Sequence, residues 1–271
     1  MYKSSTTINI PSNFPYTFDL FLCGGGGTGA LEAQQSQYGV SGGGGGYTVT
    51  KKNVDLSGKQ IKITVGSGGA SSVATFNGQR SYTGKNGGNS KIAIELGETY
   101  TASGGKGGVS TEIRGSSNVY IPTRTTSFSD GGSGGAGVYV VVGTGGGVLT
   151  RTVHFSHGGA DGNSPQYGGD GQGRTTRMFE DPSEILCSSG GGCVGDYYAR
   201  QGDDEVTTFA SLKGGEGATD GYYSQSASDK APNATGYGNG SGGMRGYVYN
   251  QNTKENGAGA PGVVTIRWPS R

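Results

Sequence analysis

The chain has 271 residues, of which 59 are glycine, and a formal net charge of +1. That balance of charge, with no basic stripe, argues against a nucleic-acid partner, and no apolar run approaches the ~20 residues that span a bilayer. Leu, Ile, Val and Phe make up about one residue in six, too few for a large apolar core, while 16 tyrosines, 8 phenylalanines and the near-zero charge argue against a solvated coil.

In chain order, apolar strands are expected near 7–23, with 17–23 the clearest because it is rich in aromatic and β-branched residues and ends at glycine. The glycine block 24–27 and a mildly helical stretch at 30–35 follow. Gly39, Gly42 and Gly45 recur with a step of three through the next block. Strands are expected at 60–65 and 91–96. An insert at 109–130 carries Tyr120 and Phe128, and Gly131, Gly134 and Gly137 lead into a valine-rich strand at 138–142. Phe155 precedes a third triplet series, Gly159, Gly162, Pro165, Gly168 and Gly171, with Tyr167 inside it. Phe179 lies just ahead of 181–186, where Asp181 before Pro182 is a helix-start pattern. Tyr197, Tyr198, Phe209, Tyr222 and Tyr223 fall in the next inserts, followed by Gly240, Gly243 and Gly246 and a closing strand within 262–268.

A step of three is the period of the polyproline II helix, which makes no hydrogen bonds within itself. Its N–H and C=O groups must therefore pair with neighbouring segments, and glycine at every third position lets backbones approach closely enough to do so. The expected fold is mainly irregular and β: one glycine-rich domain over 1–271, a bundle of packed polyglycine II helices framed by short β-strands, with almost no α-helix. Such a scaffold leaves the sequence of its loops free to vary.

Chemical motifs are sparse. Gly24, Gly26 and Gly29 match a dinucleotide-binding spacing, but no βαβ alternation or later acidic residue accompanies them. Gly84-Lys85 and Gly105-Lys106 lack the hydroxyl residue of a phosphate loop. His154 and His157 beside Asp161 lack further ligands for a metal shell. Cys187 and Cys193 enclose a five-residue glycine-rich stretch that would let them approach, so a local bridge and free thiols are both open. Asn233-Ala234-Thr235 and Asn239-Gly240-Ser241 fit the glycosylation sequon, and Met1 to Thr6 has no apolar core of a secretory signal. No nucleophile, base and orienting group can be assembled, so neither an enzyme nor a cofactor is expected.

The rings carry more information. Tyr120, Phe128, Phe155, Tyr167, Phe179, Tyr197, Tyr198, Phe209, Tyr222 and Tyr223 lie in inserts rich in tyrosine, serine, asparagine and glycine. Antibody paratopes share that composition, because rigid rings give contact area at low entropic cost. Some of these rings are expected to pack over the glycine bundle as a lid.

The ordered set 8–11, 18–23, 42–47, 61–69, 100–108 and 257–268 resembles the glycine-rich domain of bacteriophage tail fibre proteins across almost the whole chain, and is similar in construction to the distal adhesins of T-even-type phage long tail fibres. The resemblance implies a receptor-binding adhesin at the tail fibre tip of a virion. Its partners would be a bacterial outer-surface receptor, protein or glycan, and a tail fibre shaft protein. In those adhesins a separate amino-terminal region docks on the fibre, whereas here the framing strand begins almost at Met1. The expectation is either an excised tip or a protein that docks through its framing strands. Two other classes stay open: a structural or ice-binding glycine-rich protein, and a ligand-binding glycine-rich ectodomain such as that of certain receptor tyrosine kinases.

Overall fold

The computed structural model describes the chain except residues 34–37, 76–77, 79–80, 113–129, 146–147, 166–167, 202–203, 212, 217, 225–228, 247–251 and 269–271, and gives backbone alone at 38, 111–112, 138–145, 148–155, 195–201 and 204–210. Strand Phe18–Cys23 lies between Val263–Arg267 and Thr48–Val54 in an antiparallel sheet. Its alternate residues face opposite sides. Phe18, Leu20 and Leu22 pack with Ile61, Ile63 and Ile92 of a second antiparallel sheet, ordered Thr6–Asn9, Gln60–Thr64, Ser90–Ile94, Thr99–Ala102. Phe21 and Cys23 pack on the other side with Met178, Phe179, Cys187 and Val263. Each fully buried apolar side chain of this kind stabilises by about 1.5–3 kcal/mol. The largest apolar cluster is thus confined to this framing end.

Beyond Cys23 the chain runs straight into segment 24–30, the axis of a hexagonal array. The N–H groups of Gly24, Gly27 and Ala30 donate to Tyr47, Gly44 and Ser41 (3.0, 2.9 and 3.0 Å), while those of Gly25 and Thr28 donate to Gly88 and Lys85 (both 2.9 Å) and that of Gly26 to Ala260 (2.9 Å). Successive amides therefore turn to a new neighbour and return to the first after three residues, the signature of a threefold screw. The axis carbonyls accept in turn from other segments: Gly25 and Thr28 from Gly105 and Gly108, Gly26 from Gly69, Gly27 and Ala30 from Ser241 and Met244.

The six surrounding segments also bond to one another in a closed ring. Segment 41–47 donates from Ser41, Gly44 and Tyr47 to Val109, Lys106 and Ser103, and Gly84 and Gly87 donate to Gly108 and Gly105. Gly88 donates to Ser67, Gly259 and Gly262 donate to Gly69 and Gly66, and Ala260 donates to Asn239. Gly43 and Gly46 donating to Ser241 and Gly238 complete the circuit. Segments 131–137 and 187–193 extend the array on the far side of 41–47, bonded to it from Gly42 to Ala136, Gly45 to Ser133, and Gly191 to Gly43.

This packing requires glycine. A Cβ on Gly24, Gly25, Gly26, Gly27 or Gly29 would fall 1.9–2.2 Å from a neighbouring carbonyl oxygen. Ordering glycine costs of order 1–2 kcal/mol per residue, and the array offsets that with main-chain hydrogen bonds of about 0.5–1.5 kcal/mol each and weaker Cα–H contacts. Side chains join where they imitate the backbone: Asn86 and Asn89, three apart, accept from the N–H groups of Gly107 and Gly104 through Oδ1 (2.9 and 3.0 Å).

Three local expectations are corrected. Residues 30–33 do not begin a helix, and 34–35 lie outside the described residues: Leu31–Glu32 is a strand between Met244–Gly246 and Ser81–Tyr82, because the amides leaving the array continue to pair sideways. Residues 181–186 form a turn in which Asp181 Oδ1 accepts from the N–H and hydroxyl of Ser183, and the nearby 3-10 turn Met178–Glu180 contains Phe179 at φ 56°. The triplet series at 159–171 is not one helix, since Asp161 (φ 51°) and Gly162 (φ 85°) make a turn closed by the Asn163 N–H on Ala160.

Candidate functional site

Several segments of the array have a framing strand at one end and a short strand at the other. Phe18–Cys23 leads through 24–30 to Leu31–Glu32, Gln60–Thr64 leads through 66–69 to Val73–Thr75, and Thr99–Ala102 leads through 103–109 to Ser110–Glu112. The far end is therefore built from small sheets. One is ordered Ser110–Glu112, Tyr38–Val40, Val194–Gln201, Asp204–Ser211, and another Tyr222–Ser224, Met244–Gly246, Leu31–Glu32, Ser81–Tyr82.

Two hairpins of eight-residue strands rise from this end. Val138–Gly145 pairs with Val148–Phe155, and Val194–Gln201 with Asp204–Ser211; the strands Val148–Phe155 and Val194–Gln201 touch each other. The first hairpin is clamped at its base, where the Gly137 N–H donates to Ser156 Oγ (2.9 Å) and the Ser156 N–H to the Gly137 carbonyl (3.2 Å).

The small sheets of this end hold buried charges. Glu32, Arg245 and Lys254 are all at most 1% exposed. Arg245 stands opposite Glu32 in parallel strands, and Ser110 Oγ donates to Glu32 Oε2 (3.0 Å). Lys254 Nζ donates to Ser224 Oγ (2.8 Å), and the hydroxyls of Ser224 and Tyr222 donate to Asp229 Oδ2 (2.8 and 2.9 Å). Burial pulls the Lys254 ammonium below the usual lysine range, against the attraction of Asp229. Burial alone would raise the Asp229 carboxyl, but hydrogen bonds from Ser224, Tyr222 and the Lys230 N–H hold it below its ordinary value. The hydrogen bond to Asp229 raises the Tyr222 phenol, with burial adding to the effect. Polar side chains paired in this way close the end of an array that has few side chains of its own.

Of the ten rings expected in the inserts, Tyr120, Phe128 and Tyr167 lie outside the described residues. Phe155, Tyr197, Tyr198 and Phe209 fall on the two hairpins, in register with Val138, Thr208, Thr207 and Asp196. Tyr222 and Tyr223 are half-buried on the adjoining sheet, the first against Leu31 and Met244, the second against Ala30, Val40 and Val194, as a lid over the array. Phe179 is a correction. It is 3% exposed at the framing end, where it packs on Phe21 and lies 3.8 Å below the Arg267 guanidinium, so it presents no surface for a partner. The buried Glu32, Arg245 and Lys254 carry no sequence signal, since isolated charges ordinarily read as solvated.

The other motifs resolve structurally. Gly24, Gly26 and Gly29 belong to the axis of the array rather than to a phosphate loop. Asp161 Oδ1 accepts from the Thr176 N–H (3.0 Å) and the Thr175 hydroxyl, and among the described residues no three His, Cys, Asp or Glu side chains gather as metal ligands. Asn239 is buried, accepting from Ser189 N–H and donating to Thr235, whereas Asn233 is exposed. Among the described residues no helix is long and apolar enough to cross a membrane.

No curated protein matches the chain. The model of one protein family, described as a glycine-rich domain, matches residues 2–269. With that match covering nearly every residue, and a backbone array in which glycine is a steric requirement, the chain belongs to the glycine-rich domain family.

Proposed function

We propose that the protein is a receptor-binding adhesin at the tip of a bacteriophage tail fibre, which attaches the virion to a protein or glycan on the bacterial outer surface. The observation that carries this reading is the separation of ends: the framing sheets close one end of the glycine array, and both long hairpins leave from the other. Four of the expected contact rings, Phe155, Tyr197, Tyr198 and Phe209, are on those hairpins. The array supplies a base held by main-chain bonds between its own segments, which leaves hairpin sequence free to follow a receptor. The framing end is left to meet a fibre shaft.

Binding, not catalysis, is the role proposed. Ser224 and Lys254 form a Ser–Lys contact, but Ser224 is 2% exposed and Lys254 is fully buried, which bars a substrate. The test is to exchange the hairpins 138–155 and 194–211 for those of an unrelated glycine-rich domain and to measure adsorption to a panel of bacterial strains. Adsorption is expected to be lost or redirected while the thermal transition persists; unchanged adsorption after both exchanges overturns the reading.

An ice-binding role has one observation in its favour, the exposed residues three apart on outer segments, such as Ser67, Ala70 and Val73. Thermal hysteresis in the purified protein would establish it in place of the adhesin.

A further inference from the structure

Cys23 ends the central framing strand, and Cys187 opens array segment 187–193. Far apart in sequence, they meet in one buried cluster with Phe21, Met178, Phe179 and Val263. The carbonyl of Tyr237 accepts from both the Cys23 thiol (3.8 Å) and the Ser188 N–H (2.9 Å), which fixes the residue after Cys187 beside Cys23. Both thiols are buried and unbridged in that cluster. Gly238, at φ 68°, makes the room: a Cβ there would lie 2.4 Å from Cys23 Sγ.

Cys193 sits elsewhere. Beyond Ser188, which turns at φ 68°, five steps of threefold helix at ~3.1 Å each carry it about 15 Å along the segment, and its thiol donates to the Ser156 carbonyl at 3.2 Å. A disulfide requires Cα atoms within roughly 7 Å. The ordered segment therefore forbids the local Cys187–Cys193 bridge that the sequence left open, and favours a long-range one.

We propose that Cys23 and Cys187 form a disulfide when the protein meets a low-molecular-weight disulfide, fastening the framing sheet to array segment 187–193. One cysteine thiolate attacks a sulfur of the oxidant, here oxidised glutathione, and expels a glutathione thiolate to give a mixed disulfide. The second cysteine thiolate displaces the remaining glutathione. One S–S bond replaces another, the two cysteine protons end on two glutathione thiols, and the protein loses two hydrogens. The neighbouring Cys187 thiol, together with burial, holds the Cys23 thiol well above its ordinary pKa. Exchange in the folded chain is consequently slow, and the bridge closes during folding or transient opening.

The experiment refolds the full chain in a glutathione redox buffer and maps its peptides without reduction, with Cys193→Ser and Cys187→Ser variants in parallel. The expected result is a peptide joining Cys23 to Cys187 in the wild type and in Cys193→Ser, absent from Cys187→Ser. The oxidised protein should melt roughly 5 °C or more above the reduced one. A link involving Cys193, glutathione adducts alone, or three free thiols in the refolded wild type would overturn the proposal.

Discussion

Gly25 lies so close to Ser67 that a Cβ on Gly25 would sit 1.9 Å from the Ser67 carbonyl oxygen. Backbone on both sides of the contact is held by bonds to further segments, so neither can withdraw. Gly25→Ala is expected to cost upwards of ~3 kcal/mol and to abolish the cooperative thermal transition. Gly88→Ala is the matched control. Its Cβ would meet Ser67 N and Oγ at 3.0 and 3.2 Å, where a small shift suffices, and it should lower stability by about 1 kcal/mol. Circular dichroism melts of the two variants check the pair; equal losses would mean that the array is softer than its hydrogen bonds imply.

Thr28 is the axis residue with a hydroxyl, and its Oγ1 accepts from the Lys85 N–H at 2.6 Å. Thr28→Val keeps the shape but removes the acceptor of a part-buried N–H, for an expected loss of about 1 kcal/mol. Thr28→Ser retains the acceptor and should lose much less. Denaturant titrations of both variants distinguish the hydrogen bond from the packing of the methyl group.

Phe179→Ala removes a buried ring from the framing end, together with its contacts to Phe21 and Arg267. About 3–5 kcal/mol of stability should go with it. On the proposed adhesin reading, adsorption to bacterial strains, scored with folded protein at low temperature, should stay as it was, because the ring lies at the end opposite the hairpins. A change in strain preference would mean that the framing end takes part in recognition.

Acid should weaken the far end. The Lys230 ammonium and Ser71 hydroxyl, both on Glu255 Oε1 (2.7 and 2.8 Å), hold its carboxyl below the usual range, and Asp229 is held low by the hydrogen bonds described above. Both folded pKa values lie below the unfolded ones, so the unfolded chain binds more protons as pH falls through about 4. Stability is complete above that value and is lost progressively as pH drops through the folded pKa values. Asp229→Asn and Glu255→Gln should each flatten this dependence in melts recorded against pH. An unchanged slope in both would remove these carboxylates as its cause.

The framing strands and the threefold spacing were legible in the sequence because both are periodic signals. Segment 17–23 announced the strand Phe18–Cys23, and Gly39, Gly42 and Gly45 announced a threefold segment. Other features depended on neighbours that a single segment does not reveal. Leu31–Glu32 reads locally as a helix start, yet pairing with Met244–Arg245 decides for strand. Phe179 resembles the other insert rings until the strand bearing Phe21 is seen to offer it a pocket. Lys254 and Arg245 look solvated in sequence, and only their pairing into the small sheets of the far end reveals their burial.

The threefold rotation of the amides along 24–30 also constrains how such a gene can change length. One added residue inside a segment would swing every later N–H by about 120° toward the wrong neighbour. Three added residues would restore the compass bearing but displace the chain by one rung against all its neighbours at once. Insertions and deletions in phase or out of it are therefore excluded from the array and driven into the hairpins beyond Gly137 and Val194, where a change in length leaves the lattice register untouched.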